Sequence, residues 1–315
     1  MSRHPPRVYV FLALGVISFT LAPIFVRWAS EGPGIAIAVW RTVVATAVLA
    51  PVAIPRLRAD AAALSSRDMG FIIGAGIVLG LHFIAWIESL YHTSVASASV
   101  LVTTSPIFLV GLGYMLLGER LRQSTVGAIV VAVIGAALLG WSDAGAVMMG
   151  GSSLWGNALA LGASILVSVY LIIGRVVRQR VSWLTYVFPL YGVSALTALA
   201  VAWMQGIPLF GYSWAFYGWC AALALGPQLL GHGSFNYAVQ FVPAALVSML
   251  ALLEPVGASL LAYVFFGEVP DLLSVVGMLT VLGAVGFVVR TRERSGDADD
   301  TPTPITSESD LPEDR

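Results

Sequence analysis

The chain has 315 residues, 58% hydrophobic and 10% charged, with a formal net charge of −1 and a mean hydropathy of +0.88. A soluble domain carries about 25% charged residues, so this composition argues against a soluble enzyme and for an integral membrane protein. All sixteen basic residues are arginine. The chain therefore has neither a Walker-A lysine nor a Schiff-base lysine, which excludes a P-loop ATPase and lysine-linked PLP chemistry.

A spanning helix needs about 20 apolar residues at 1.5 Å each. Ten such spans follow in order: 8–28, 35–54, 70–91, 94–117, 124–141, 153–173, 184–204, 214–238, 243–266 and 272–290. Arg3 and Arg7 precede the first, which reads as a span and not a signal peptide because its apolar run continues for about 20 residues. Arg27 closes it. Arg41 lies about seven residues into the second, roughly 10 Å deep, where burial without a partner is costly. An outer-gate ion pair of Arg41 or Arg27 with Glu88 answers that cost. Snorkelling to the headgroups is the other reading for Arg27.

The third span places His82 and Trp86 four residues apart, on one helix face. An imidazole beside an aromatic wall suits an amphipathic metabolite, although helix packing or an interhelical hydrogen bond would also employ them. Gly70, Gly74, Gly76 and Gly80 in the same span suit close helix approach. The fourth span carries Thr103, Thr104 and Ser105 before Pro106. Thr104 is a candidate ligand contact, or a support for the helix bend. The eighth span has Pro227 as a break and a polar stripe of Gln228, His232 and Asn236, which must face protein or water and not lipid. Cys220, in the same block, reads as a small buried hydrophobe. In the ninth, Glu254 precedes Pro255 near mid-depth. Pro255 frees the Ala251 carbonyl as Pro106 frees that of Val102, and a carboxylate beside free backbone polarity is a transporter-like site. Glu254 would bind a substrate amine or a proton. The segment after the tenth span, residues 291–315, is acidic and rich in Pro and Ser, and reads as a solvated cytoplasmic tail.

With the N-terminus inside, fourteen of the sixteen arginines fall in inside segments. The loops Ser142 to Gly151 and Gln205 to Tyr212, predicted outside, contain none. This bias places both termini in the cytoplasm. Trp28, Trp141, Trp155, Trp183, Trp203 and Trp214 fall near the predicted interfaces, while Trp40, Trp86 and Trp219 fall deeper.

The chain repeats itself. A shift of 149 positions lays TSPIFLVGLGYMLLGE over LEPVGASLLAYVFFGE, so that Ser99 meets Ser248, Pro106 meets Pro255, Tyr114 meets Tyr263, Gly118 meets Gly267 and Glu119 meets Glu268. The two copies, 8–141 and 152–290, have five spans each. Five is odd, so the second copy enters the membrane from the opposite side, an inverted repeat of the kind found in secondary transporters.

The run SLYHTSVASASVLVTTSPIFLVGLGYMLLGER, with GPQLLGHGSFNYAVQ and LLEPVGASLLAYVFFGE in the second half, resembles the EamA-domain proteins of the drug/metabolite transporter superfamily. The resemblance covers about residues 8–290. It implies a ten-helix basket with a cavity between two five-helix halves. It also implies transport of small metabolites, including amino acids and their analogues, often as export.

Other chemistries lack their residues. There is no HExxH, CxxC or acidic cluster with metal spacing, so no metal or other cofactor is expected. No GxSxG occurs, and no basic patch with interleaved aromatics points to nucleic acid. The expectation is an all-α integral membrane protein that is not an enzyme. It is a secondary transporter of a small organic metabolite or amino acid in the cytoplasmic membrane, working by alternating access, with export as the direction. Its partners are the small-molecule substrate and the lipid bilayer. The alternatives are an integral membrane enzyme acting on a lipid-like substrate and a channel or permease subunit. One chain contains both halves, so a monomer can work, with a homodimer as the other arrangement.

Overall fold

The computed structural model describes residues 6–60, 64–93, 95–143, 153–267, 269 and 272–295. The tail beyond Ser295, Glu268, Arg3 and most of the loop from Ser142 to Gly151 lie outside the described residues. In a bilayer every backbone polar group must be satisfied within the protein, which favours unbroken helix over long apolar runs. Accordingly the described residues are overwhelmingly α-helical. In chain order the helices are α1 (Pro6–Thr20), α2 (Ala22–Trp28), α3 (Gly34–Asp60), α4 (Ser66–His92), α5 (Val95–Val102), α6 (Ser105–Leu117) and α7 (Gln123–Asp143). They continue with α8 (Ser153–Val177), α9 (Trp183–Met204), α10 (Trp214–Leu223), α11 (Gly233–Ala238), α12 (Ala244–Met249), α13 (Leu253–Phe266) and α14 (Leu272–Ser295). Eight segments are long and apolar enough to cross a membrane, and Gln123–Leu138 is a shorter apolar helix. The protein is thus a multi-pass membrane protein.

Several boundaries differ from the sequence expectation. Helix α3 runs to Asp60, past Pro51 and Pro55, and α14 runs to Ser295, past the expected end at 290. The prolines of the fourth and ninth spans do not bend continuous helices. Pro106 and Pro255 stand in the first turns of α6 and α13, where the missing N–H costs nothing. The preceding helices end just before them, at the turn Thr103–Thr104 and at the 3₁₀ turn Leu250–Leu252. Pro227 lies within a π-helical stretch, Ala224–His232, that joins α10 to α11. The wide turn accommodates the proline ring, and outside donors reach carbonyls there and just beyond. Tyr191 donates to the Gln228 carbonyl at 2.9 Å and Trp183 Nε1 to that of Gly233 at 2.9 Å.

Close packing comes from small residues in part of the predicted stripe. A Cβ on Gly76 would stand 2.9 Å from the Leu190 carbonyl oxygen, and one on Gly80 2.9 Å from that of Ser194, so α4 lies directly on α9. Gly70 and Gly74 face open space. Gly118 and Gly267 end α6 and α13 at φ 67° and 69°, and their amides bond to Tyr114 and Tyr263 at 3.2 and 3.0 Å. These are left-handed caps that favour glycine. Trp203 and Trp214 are largely exposed on the outside of the helices, the arrangement of interfacial rings. Trp40 is explained by a hydrogen bond from Nε1 to the Leu209 carbonyl at 2.8 Å, and Trp219 by its contact with Trp28, ring centroids 4.5 Å apart.

Candidate functional site

The two helix breaks and the π stretch meet around one internal cavity of about 580 Å³, counting its mouth. Breaks in helices leave backbone polarity and small side chains where an intact helix would present apolar bulk. Ser105 and Glu254 reach the cavity from the first residues of α6 and α13, and Pro227 and His232 reach it from the π stretch. Arg41 of α3 and His82 and Trp86 of α4 complete the polar wall. Phe19, Tyr170 and Phe235 supply an aromatic one.

Arg41 is 1% exposed. Its Nε donates to Gln228 Oε1 at 3.1 Å, and its guanidinium carbon lies 4.1 Å from the centre of the Phe83 ring. The amide and the ring face together hold the cation in place of water. Its Nη2 has no partner. Glu254 is 7% exposed, and its Oε1 is buried without a partner, as is Nε1 of Trp86.

The two histidines are fixed by different contacts. His82 Nδ1 lies 2.8 Å from the Ala163 carbonyl oxygen. A carbonyl only accepts, so Nδ1 carries the hydrogen. His232 Nδ1 lies 2.9 Å from the Tyr170 hydroxyl. The imidazoles are 5.8 Å apart, and Phe19 and Phe83 stand edge-on to His232 at 4.9 and 5.0 Å.

Of the residues singled out by sequence, Glu254, His82, Trp86, His232 and Pro227 therefore share one cavity. Gln228 stands behind the wall and orients Arg41. Thr104 turns elsewhere: its hydroxyl donates to the Leu101 carbonyl at 2.7 Å and contacts Ser164 Oγ at 3.1 Å, supporting the helix break. The expected pairing of Arg41 with Glu88 is not formed in this structure. Arg41 points into the protein interior, where Gln228 and Phe83 take it. Glu88 lies near the C-terminal end of α4, 4.0 Å from His92 Nε2 and against the start of α3 at Gly34. Arg27 is exposed in the last turn of α2.

Sequence reasoning passed over Phe19, Tyr170 and Phe235, because aromatic residues on apolar helices carry no local mark of cavity lining. It also read Arg175 and Arg178 only as inside charges. Both are buried. Arg175 Nε pairs with Glu119 at 2.9 Å, and its Nη1 reaches the carbonyls of Val239 and Gln240 at 2.8 and 3.1 Å. Arg178 donates to the Asn236 and Val181 carbonyls and to Gln240 Oε1. Two arginines thus cap the carbonyl end of α11, where a cation is favoured. The signal available in the sequence was the spacing of three, which puts both on one helical face.

A multi-pass helical membrane protein with unpartnered charge-bearing groups around one cavity belongs to the class that binds cargo within the membrane. The model of the EamA-like transporter family matches this chain at residues 6–141 and again at 154–290, and the protein belongs to that family. It is a membrane transporter. A probable terminal-alkyne amino-acid exporter of Streptantibioticus cattleyicolor is 28% identical over 306 residues, covering 93% of this chain and 96% of that one. The pseudopaline exporter CntI of Pseudomonas aeruginosa is 24% identical over 240 residues, 75% of this chain and 81% of its own. Human solute carrier family 35 member G1 is 24% identical over 292 residues, 89% and 78% of the two chains. A solved crystal structure overlays with a TM-score of 0.74 at 17% identity, covering 93% of this chain and 100% of that one, which shows a shared fold.

Proposed function

We propose that the protein is a secondary transporter that exports a small organic zwitterion, an amino acid or a metabolite of like chemistry, across the cytoplasmic membrane by alternating access. One observation carries this reading. Arg41 Nη2, Trp86 Nε1 and Glu254 Oε1 are buried without partners in residues that line one cavity. An unpaired buried polar atom costs about 1–3 kcal/mol, so the site is complete when a ligand brings both an acceptor and a donor. A carboxylate fits Arg41 and Trp86, an ammonium fits Glu254, and an apolar side chain fits Phe19, Tyr170 and Phe235. The imidazoles of His82 and His232 are the remaining polar contacts. Export is the direction named for two of the relatives.

The reading takes the chain as ten crossings in two inverted five-helix repeats, 8–141 and 152–290, with both termini and the tail in the cytoplasm. The helix contacts support it. Helix α4 packs on α8 as the run from the π stretch through α11 packs on α1, while α3 packs on α9 and α7 on α14. This is the pairing a twofold axis in the membrane plane would make. Glu88 and Arg27 stand toward the outer end in this orientation and are assigned to the outer gate. One chain holds both halves, so a monomer suffices.

The test is counterflow. Proteoliposomes preloaded with a mixed pool of unlabelled amino acids receive one labelled member outside. Transient accumulation of a label is expected, with its loss in Glu254→Gln. Folded protein that accumulates none of the labels, or a Glu254→Gln variant exchanging at the wild-type rate, would overturn the reading.

A further inference from the structure

Ser105 of α6 and Ser248 of α12 meet across the two halves, their hydroxyl oxygens 2.6 Å apart. The 149-residue shift carries Ser105 onto Glu254 and Ser99 onto Ser248. The image of the Ser105–Ser248 contact in the other repeat is therefore a contact between Glu254 and Ser99. It is not made in this structure, and its absence leaves a mark at both ends: Ser99 Oγ and Glu254 Oε1 are each buried without a partner. Their helices, α5 and α13, already touch. The Ser99 carbonyl accepts from Thr103 Oγ1 at 2.7 Å, and the Ser99 hydroxyl is the side-chain group that can donate to a carboxylate.

We propose that Ser99 is a positioning residue that holds Glu254 when the carrier faces the opposite side of the membrane. In that state the Ser105–Ser248 contact opens and Ser99 Oγ donates to Glu254 Oε1. The inference rests on the inverted-repeat reading above and adds to it a specific exchange of contacts. Two repeats that swap conformations swap their contacts as well. The two ties are chemically unequal, because a hydroxyl bonds a carboxylate more strongly than another hydroxyl. The second tie also takes up an oxygen that faces ligand in the first state. The carrier thus presents a different Glu254 to the two sides, which gives the ligand unequal affinity on each.

The test uses the full chain in oriented proteoliposomes, with Cys220→Ala as background and Ala22→Cys on the cavity wall as reporter. Labelling by a membrane-impermeant maleimide from each side reads the balance of states. Ser99→Ala removes the tie of the opposite state and Ser105→Ala the tie of this one. The two are expected to shift the balance in opposite directions, Ser99→Ala by about tenfold or more. A purely structural role would not give opposite signs. Shifts of the same sign, or no shift in either, would overturn the proposal. A cysteine pair at 99 and 254 provides a second measurement, cross-linked by copper phenanthroline beside a pair at 105 and 248. Both pairs are expected to close, and a 99–254 pair that never closes while 105–248 does would equally sink the idea. Wild-type counterflow is recorded alongside. Opposite shifts without counterflow of any label would count against the transport reading alone, and counterflow with shifts of one sign against the exchange of contacts alone.

Discussion

Replacing Arg41 by glutamine removes the one cationic side chain lining the cavity among the described residues, while keeping an amide that can bond to Gln228. Arg41 is 1% exposed, so its interaction with a ligand carboxylate is little screened by solvent. A hydrogen bond to a charged group contributes about 1.5–3 kcal/mol. At about 1.4 kcal/mol per factor of ten, the loss is about tenfold to 150-fold in affinity. The assay compares half-saturation of counterflow for a substrate amino acid and for the amine that lacks its carboxylate. The wild type is expected to prefer the amino acid by that factor. Arg41→Gln is expected to lose that preference between the two compounds. Arg41→Lys keeps a charge but loses the fork and the stacking on Phe83, and is expected to fall between the two. If Arg41→Gln weakens both compounds equally, or leaves the preference intact, the guanidinium does not hold a carboxylate and the zwitterion argument fails.

Two further outcomes follow from contacts outside the cavity. Glu119 and Arg175, with side chains 12% and 8% exposed, form a buried ion pair. Glu119→Gln leaves a buried cation uncompensated and is expected to cost about 3 kcal/mol, read as a lowered thermal unfolding midpoint in detergent. An unchanged midpoint would show that the arginine is satisfied by the α11 carbonyls alone. At the loop between α2 and α3, the Ser213 hydroxyl and then its backbone N–H, at 2.9 Å, hold the Glu31 carboxyl below its ordinary value of 4.5. A lowered folded value means that the tie is fully present above 4.5 and is lost as pH falls through the lower folded value. Protection of the Ser213 amide from hydrogen exchange should therefore decline only below that ordinary range, and should be already weak at neutral pH in Glu31→Gln. Protection that drops near pH 6 would point to another group.

The membrane setting, the approximate positions of most helices and the internal duplication were legible in the sequence. They rest on local quantities: the length of an apolar run, the placement of arginines, and residues that recur at a fixed shift. Glu254, His82, Trp86 and His232 were legible as candidates for the same reason, since a polar group inside an apolar run is visible without any partner. The partners themselves were not. Depth alone offers Arg41 or Arg27 as the partner of Glu88, and depth fixes neither the azimuth of a side chain around its helix nor which neighbour faces it. Gln228, 187 residues away in sequence, is what Arg41 meets. In the same way Pro106 and Pro255 mark the two breaks in the sequence, but a proline cannot say whether its helix bends or restarts. That depends on whether neighbouring helices supply donors to the freed carbonyls.

The sequence by itself determined that this is a helical membrane protein of duplicated design, because the bilayer demands long apolar helices and leaves the exceptions exposed to view. The tertiary structure decided which exceptions meet. Only packing brings Arg41, Trp86 and Glu254 to one cavity with their polar atoms unmatched. Only packing closes Ser105 on Ser248 while Ser99 and Glu254 stay apart. Such contacts join helices far apart in the chain, and their energies depend on distance and orientation that no single helix encodes.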